Sequence, residues 1–213
     1  MQLVLIGPPG AGKGTIAEKV AAKYGLAHLS TGDMLRDAIA RGTALGAEAK
    51  EYVETGRLVP QEILGRVVAE RLRADGNFIL DGYPRTLEQA EFLSGLPGVA
   101  LDAVIYVAVR EEEAFARSRG RRVCRACGAV SGADEADVCG RCGSSDLAAR
   151  ADDRPATLKK RYDVYVRETA PVIEYYRGHG LLREVDGTGG REEVLARVEA
   201  AIGPALARGD DNG

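Results

Sequence analysis

The sequence predicts a doubly wound α/β fold, in which helices cover both faces of a parallel sheet of about five strands. Short apolar segments alternate along the 213 residues with longer segments of helical periodicity, which is typical of βα units around such a sheet. A glycine-rich turn joins the first apolar segment to the first helical one. Two stretches, 30–59 and 120–153, interrupt the alternation and are predicted to be insertions into a single core.

The predicted strands are short runs dominated by apolar residues. The first, Gln2 to Ile6, opens the chain and ends at Gly7. The others are similarly short, as expected for the buried strands of a parallel sheet, and span 26–29, 77–81, 103–107 and 181–185.

Between these strands, apolar residues recur at helical spacing. In the first predicted helix, 13–24, the residues Ile16, Val20 and Tyr24 share one face, and Gly25 is a stop signal. The later predicted helices span 61–74, 87–93, 111–117, 157–176 and 191–202.

The two insertions differ in character. The first contains two short helical patterns and no strand, with Thr43 placed to cap the second helix and Gly56 placed to end it. The second contains all four cysteines and few large apolar residues. The predicted organisation is a core of 1–29, 60–119 and 154–206, insertions of 30–59 and 120–153, and a flexible tail of 207–213.

Composition excludes several classes of protein. With Lys+Arg 29 against Asp+Glu 32, the net charge of -3 provides no global attraction to nucleic acid or to a membrane surface. No run of about 18 apolar residues is present, so no bilayer-spanning helix is expected. The N-terminus lacks the basic start and the cleavage site of a signal peptide. We therefore expect a cytoplasmic protein whose anion-binding site is a local cluster of positive charge.

The glycine-rich turn from Gly7 to Thr15 reads GPPGAGKGT and is a candidate phosphate cradle. Backbone N–H groups of such a turn converge on phosphate oxygens, the helix N-terminus adds its positive dipole end, and Lys13 reaches the outer phosphates. The usual P-loop pattern has Ser or Thr after the lysine, whereas Gly14 stands there and Thr15 follows. A glycine-rich turn without a ligand is the alternative, but the strand–loop–helix context favours a P-loop.

Asp81 ends the third predicted strand, where a carboxylate can hold Mg²⁺ or its water ligands. An aspartate at a strand end is often only a helix cap, so Asp81 counts in combination with the P-loop. Phosphoryl transfer itself needs in-line positioning and positive charge rather than a side-chain nucleophile. Arginine suits that task because its fork donates to two phosphate oxygens and stays charged.

Three segments together carry a resemblance to a known family. They are Gly7 to Thr15, the segment STGDMLR at 30–36, and the segment DGYPRT at 81–86 followed by Gln89. The chain resembles the adenylate kinases in these segments, and glycine after the P-loop lysine is that family's own variant. The resemblance continues to residue 202 through 57–59, 120–122, Arg150 with Asp152 and Asp153, Arg161, 169–171 and 186–188.

The resemblance implies reversible, Mg²⁺-dependent transfer of the ATP γ-phosphoryl group to AMP, giving two ADP, by a monomer. The net charge leads us to expect neither nucleic acid nor membrane as a partner. It assigns 30–59 as the insertion that binds AMP and 120–153 as a lid over ATP. The implied ATP-binding residues are Gly10, Ala11, Gly12, Lys13, Gly14, Thr15, Arg117, Arg121, Val130, Ser131 and Gly189. The implied AMP-binding residues are Thr31, Arg36, Arg57, Leu58, Val59, Gly82, Tyr83, Pro84, Arg85, Gln89, Arg150 and Arg161. The implied catalytic residues are Lys13, Arg85, Arg121, Arg150 and Arg161, with Asp33 and Asp81 around Mg²⁺.

Departures from the family pattern concern the nucleotide bases. Val130 and Ser131 stand where relatives often carry residues that stack on the ATP base, and Gly189 stands where some carry a lysine. A kinase that pairs GTP with AMP, or another nucleoside monophosphate kinase, therefore stays open as an alternative. Thr86 favours AMP as acceptor, because relatives with a pyrimidine acceptor usually carry asparagine there.

The four cysteines form two C-x-x-C pairs, Cys124 with Cys127 and Cys139 with Cys142. Four thiolates are the usual ligands of a closed structural zinc site, although tetrahedral sulfur also suits iron. The eleven residues between the pairs are fewer than the roughly 15–20 of the common pattern. Two disulfides or free thiols are the alternatives, disfavoured by compartment and by the duplicated spacing. We predict zinc, in a zinc-ribbon-like lid too poor in apolar residues to hold itself together.

A nucleic-acid-binding zinc ribbon is the alternative from another functional class. Five arginines crowd the first cysteine pair, at positions 117, 119, 121, 122 and 125. Against this hypothesis, Asp134, Glu135 and Asp137 are acidic, and no aromatic residues interleave the arginines. Other basic and imidazole side chains are predicted to be solvated or structural, namely Arg125, Arg141, Arg154, His28 and His179.

Overall fold

The structure is a computed structural model that describes residues 1–74, 76–132 and 136–209. Its strands are β1 Gln2–Ile6, β2 Ala27–Ser30, β3 Phe78–Asp81, β4 Ala103–Ala108, β5 Arg122–Cys124, β6 Val130–Ser131, β7 Leu147–Ala149 and β8 Leu182–Asp186. Its α-helices are α1 Lys13–Tyr24, α2 Thr31–Ala40, α3 Ala44–Thr55, α4 Gln61–Ala74, α5 Leu87–Ser94, α6 Glu111–Arg119, α7 Pro155–Val164, α8 Ala170–Gly178 and α9 Arg191–Gly209. A 3₁₀ turn covers Ala151–Asp153, and a π-helical turn, Tyr165–Thr169, joins α7 to α8.

The core is a five-stranded sheet in the order β2-β3-β1-β4-β8, with every neighbouring pair parallel. Successive residues of β1 point to opposite faces: Val4 and Ile6 pack with α4, α5 and α8, whereas Leu3 and Leu5 pack with α1 and α9. Both faces of the central strands are therefore buried, which is why β1, β3 and β4 are mostly apolar, whereas the edge strand β8 carries Arg183 and Glu184. The predicted doubly wound α/β fold is confirmed.

The insertion between β2 and α4 consists of α2 and α3, as predicted. The Thr43 hydroxyl accepts a hydrogen bond from the Gly46 amide at 3.1 Å and so caps α3. Gly56 ends α3 with φ at +75°, a conformation that favours glycine. The two helices approach closely, because a Cβ on Gly46 would lie 2.1 Å from the Ala38 carbonyl oxygen.

The second insertion, 120–153, which the resemblance assigns as a lid, contains a three-stranded antiparallel sheet in the order β6-β5-β7, whose strands the sequence pattern did not indicate. Each strand has only two or three residues, too few for alternating polarity to be recognised. Asp134 and Glu135, whose negative charge disfavours nucleic-acid binding, lie outside the described residues.

The C-terminal half departs from prediction in two places. The helix predicted over 157–176 is interrupted by the π-helical turn, in which the Ala170 amide bonds to the Tyr165 carbonyl. Pro171 explains the interruption, since it has no N–H with which to continue α-helical bonding. The last helix runs to Gly209, so three residues of the predicted tail are helical, and 210–213 lie outside the described residues.

Among the helices described, none has the length and apolar character needed to cross a bilayer.

Candidate functional site

The glycine-rich turn lies between the carboxyl end of β1 and the start of α1. Gly10 has φ at +92°, and a Cβ there would lie 2.1 Å from the Ala114 carbonyl oxygen and 2.6 Å from Ser118 Oγ. The turn therefore packs against α6 so closely that only glycine fits. Within the described residues, no side chain caps α1, whose N-terminal N–H groups are free to meet an anion.

Lys13 and Asp81 lie at this turn. Lys13 Nζ donates to the carbonyl oxygens of Gly7 and Pro8 at 2.8 and 2.9 Å. Burial lowers the pKa of Lys13 to about 8 against the opposing effect of Asp81, so the ammonium is mostly protonated at neutral pH. Asp81 Oδ2 lies 3.3 Å from where a Cβ of Gly14 would be, so glycine after the lysine permits the β3 carboxylate to approach α1.

Arginine side chains from three parts of the chain converge on a pair of adjacent buried carboxylates, Asp152 and Asp153. Arg161 Nη1 lies 2.9 Å from Asp152 Oδ2 and 3.2 Å from Asp153 Oδ1. Arg121 donates to both carboxylate oxygens of Asp153, with Nε at 2.8 Å from Oδ2. Arg36 Nη1 lies 3.7 Å from Asp152 Oδ2. The two aspartates thus hold the guanidinium groups of these arginines in place. Their position in the sequence beside Arg150 did not by itself predict this role.

Burial and mutual repulsion shape the pKa values in this cluster. Burial, reinforced by the charges of neighbouring arginines, lowers the pKa of Arg85 and of Arg150 to about 10. For Arg121, burial is outweighed by hydrogen bonding and charge pairing with Asp153, which raise its pKa. For Asp152, burial is outweighed by the surrounding arginines, led by Arg161, which lower its pKa. The arginines therefore stay charged at neutral pH and present concentrated positive charge in a partly desolvated site.

Two clefts meet at this cluster. One, of about 510 Å³, is bounded by the P-loop, Pro84 and the π-helical turn. The other, of about 550 Å³, is bounded by α2, the segment 56–59 and Gln89. Both are lined by Arg85 and Arg161, together with Gly56, Leu58 and Gly82. A phosphate chain in either cleft would therefore extend toward the same pair of guanidinium groups.

The second cleft collects most of the residues assigned to AMP. Its lining includes Thr31, Arg36, Arg57, Leu58, Val59, Gly82, Arg85, Gln89 and Arg161. The Thr31 hydroxyl donates to the Gly82 carbonyl at 2.9 Å, and Gln89 Oε1 accepts from the Arg85 amide at 2.8 Å. These bonds shape the loop between β3 and α5 that forms one wall of the cleft.

Some assigned residues point elsewhere. The Arg57 guanidinium pairs with Glu51 and lies 4.9 Å from the Tyr52 ring centre. The Tyr83 ring is fully buried in the core, and its hydroxyl donates to Gln61 Oε1 at 3.1 Å. For Arg57 and Tyr83, the backbone rather than the polar end of the side chain is therefore the part available to a ligand.

Asp33 and Arg150 lie together beside Arg36 rather than at the P-loop. Asp33 Oδ1 lies 2.6 Å from Arg36 Nη2 and 3.6 Å from Arg150 Nη2. Burial is outweighed by these arginines, so the pKa of Asp33 is lowered. The two aspartates assigned to Mg²⁺ thus occupy different surroundings, with only Asp81 lying against α1.

The residues assigned to the ATP base come from two places. Arg117 Nη2 donates to the carbonyl oxygens of Gly187 and Gly189 at 2.9 and 3.3 Å, which joins α6 to the loop after β8. Val130 and Ser131 form β6 in the lid sheet, where Ser131 is buried.

Arg141 is exposed, as predicted for a surface charge, and it also forms an ion pair with Glu18 of α1. Arg141 lies within the second cysteine pair, so this contact joins the cysteine cluster of the lid to the helix that follows the P-loop. Arg125 is also exposed, and it lies 3.5 Å from Asp146.

The four cysteine sulfurs lie within 4.8 Å of one another. Cys124 Sγ lies 3.6 Å from Cys142 Sγ, and Cys127 Sγ lies 3.5 Å from Cys139 Sγ, so no disulfide links them. Zinc–sulfur bonds of about 2.3 Å in a tetrahedron place the sulfurs about 3.8 Å apart, which this cluster nearly matches. The donor set and its geometry therefore fit a tetrahedral metal ion.

Comparison with known proteins adds independent findings. A family model described as adenylate kinase matches residues 5–181. The adenylate kinase of Archaeoglobus fulgidus is 48% identical, over 95% of this chain and 98% of the relative. Those of Kosmotoga olearia and Moorella thermoacetica are each 46% identical, over 93% and 98% of this chain and 97% and 99% of the relatives. The similarity therefore extends over nearly the whole of each chain.

Proposed function

This chain belongs to the adenylate kinase family of phosphotransferases, and from that premise we propose that it transfers the γ-phosphoryl group of ATP reversibly to AMP, giving two ADP. The observation that carries the proposal is the pair of clefts that share Arg85 and Arg161. One cleft contains the P-loop and suits a nucleoside triphosphate, and the other suits the acceptor. The triphosphate of ATP and the single phosphate of AMP would face each other across the shared arginines, which is the arrangement that in-line transfer requires.

On the donor side, backbone N–H groups from Gly10 to Thr15 would bind the phosphates, with the Lys13 ammonium among the outer oxygens. Arg117 and Gly189 would lie beside the adenine base of ATP. The lid would bring Val130 and Ser131 over the same base and Arg121 over the phosphates. Closure of the lid excludes water, which favours transfer to AMP over hydrolysis.

On the acceptor side, Thr31, Gln89 and the backbone of 57–59 would form the nucleoside pocket. The AMP phosphate would lie toward Arg36, Arg85 and Arg161, with Arg150 completing the cluster. Backbone atoms from Gly82 to Pro84 would support the phosphate-facing loop. No side-chain nucleophile is needed, because the acceptor phosphate oxygen itself attacks.

Mg²⁺ would be held through its water ligands by Asp81, with Asp33 in a more distant shell. Its chemistry is to neutralise charge on the phosphate oxygens and to fix their orientation. Monomeric state and cytoplasmic location stay predictions of the sequence.

The test of this function is a coupled assay for ADP formed from ATP, AMP and Mg²⁺. We expect Lys13→Ala to lower turnover by roughly a hundredfold or more, because it removes a charged donor from the phosphates. Lys19→Ala is the matched control: Lys19 is also on α1, but it pairs with Glu192 at the surface and should leave turnover unchanged.

The same assay decides between nucleotides. Replacing ATP by GTP tests the donor, since Gly189 offers no side chain to discriminate between purine bases. Replacing AMP by CMP tests the acceptor. Absence of ADP from ATP with AMP, together with activity on another nucleotide pair, would reassign the substrates within the family.

We propose further that the four cysteines hold a structural zinc ion, since they fill a tetrahedral site and leave no position for substrate. Chelation of the metal should expose the lid to proteolysis between residues 120 and 153 while the five-stranded core stays folded. Limited proteolysis, with far-ultraviolet circular dichroism on the same sample, measures both effects. Metal analysis of the purified protein distinguishes zinc from iron. A lid that resists cleavage equally well before and after chelation would contradict the structural role.

A further inference from the structure

Thr169 is the last residue of the π-helical turn between α7 and α8, and it is 5% exposed. Its hydroxyl donates to the carbonyl oxygen of Arg85 at 2.9 Å, across 84 residues of sequence. A threonine in a helix commonly bonds instead to a carbonyl of the preceding turn. Here the Tyr165 carbonyl accepts from the Ala170 amide, and the Thr169 hydroxyl is directed out of its own helix.

Arg85 is held by two further hydrogen bonds, and both are local. Its Nε donates to the Gly82 carbonyl at 2.7 Å, and its amide donates to Gln89 Oε1 at 2.8 Å. These bonds shape the loop between β3 and α5 but do not fix the loop relative to the rest of the molecule. Of the three bonds, only the one from Thr169 ties Arg85 to a different part of the chain.

That other part carries Arg161. Arg161 lies on α7, which runs through the π-helical turn directly to Thr169. The guanidinium groups of Arg85 and Arg161 are like charges that line the same two clefts, and Arg161 is one of the groups that lower the pKa of Arg85. Repulsion between them favours separation, and a hydrogen bond that joins the two supporting segments opposes it.

We propose that Thr169 is a positioning residue for phosphoryl transfer. Its hydroxyl anchors the Arg85 backbone to the α7–α8 segment and so sets the spacing between Arg85 and Arg161. The inference rests on the proposed function, because it concerns the arginines assigned to the transferring group. A displacement of about 1 Å in such a group can cost about a hundredfold in rate.

Thr169→Val tests the hydroxyl, since valine keeps the shape and removes the donor. We expect kcat to fall by about tenfold to a hundredfold, as a misplaced charged group would cause. Thr169→Ser keeps the donor and should restore kcat close to the wild-type value. If the valine variant fails to fold, Thr169→Ala takes its place in the comparison with serine. Equal kcat for wild type, the serine variant and the variant lacking the hydroxyl would overturn the proposal.

Thr169 also lines the donor cleft, so a double-mutant cycle with Arg85→Ala separates action through Arg85 from direct contact with nucleotide. If Thr169 acts through Arg85, Thr169→Val causes no further loss of kcat in the Arg85→Ala background. The same fold-loss in both backgrounds would refute the positioning role.

Val172→Ala controls for a general loss of stability. Val172 is fully buried in the core on α8, close to Thr169 in sequence, and its truncation should lower Tm without changing kcat. The activity of the wild type in the same assay distinguishes failure of the proposed function from failure of the positioning role of Thr169. A wild type that forms no ADP contradicts the proposed function, whereas an active wild type with an equally active Thr169→Val contradicts only this inference.

Discussion

Arg161→Ala will lower kcat by about a thousandfold or more, the effect of removing an arginine that stabilises a transferring phosphoryl group. Arg161 lines both clefts, and its largely buried side chain, 17% exposed, lies against the carboxylates of Asp152 and Asp153. Charge that develops on the transferring group would meet this guanidinium in a partly desolvated site, where electrostatic stabilisation is strong. Steady-state kinetics with ATP and AMP measures the loss, which should fall on kcat more than on either KM.

Two variants sharpen this experiment. Arg161→Lys keeps the charge but loses the fork that can donate to two oxygens, so its kcat should lie between those of wild type and alanine. Arg167→Ala is the matched control, since Arg167 lies in the adjoining π-helical turn with its side chain 67% exposed and paired with Glu168. If Arg167→Ala lowers kcat as much as Arg161→Ala does, the effect does not depend on the place of Arg161 in the wall that the two clefts share.

Gly10→Ala will destabilise the fold and abolish productive nucleotide binding. The backbone at Gly10 has φ at +92°, and an added Cβ would lie 2.1 Å from the Ala114 carbonyl oxygen. Strain of the left-handed backbone and overpacking against α6 together should cost about 2–5 kcal/mol in the free energy of unfolding. Relief of the clash would move the P-loop away from α6, so the phosphate-facing N–H groups would no longer converge.

Urea denaturation measures the stability loss, and calorimetric titration with ATP measures the binding loss. Gly98→Ala is the matched control, because Gly98 also has a positive φ, +82°, but a Cβ there would meet no atom within 4 Å. It should cost about 1–2 kcal/mol from backbone strain alone and leave ATP binding intact. If the two variants lose the same free energy of unfolding, the close approach of the P-loop to α6 adds nothing to the cost of the Gly10 substitution.

Local signals account for the parts of this protein that could be predicted from sequence. The helix signals at Thr43 and Gly56, and the alternation of strands with helices, each depend on neighbouring residues, so they can be recognised without knowledge of the fold. The π-helical turn was missed, although Pro171 was visible, because an interrupted helix keeps nearly the same apolar periodicity. The lid strands were missed because pairing across the small sheet, rather than pattern within each strand, defines them.

The sequence by itself determined the fold class, the glycine-rich turn between β1 and α1, the two cysteine pairs and the set of arginines that could surround phosphate. Only the tertiary structure decided which of those arginines share a wall, that Asp152 and Asp153 organise them, and that the Thr169 hydroxyl reaches the Arg85 backbone. The physical reason is that residue type and spacing specify chemistry and local conformation, whereas the direction of a side chain depends on partners distant in sequence. Arg57 illustrates the difference, because its place beside the cleft was predictable but its pairing with Glu51 on α3 was not.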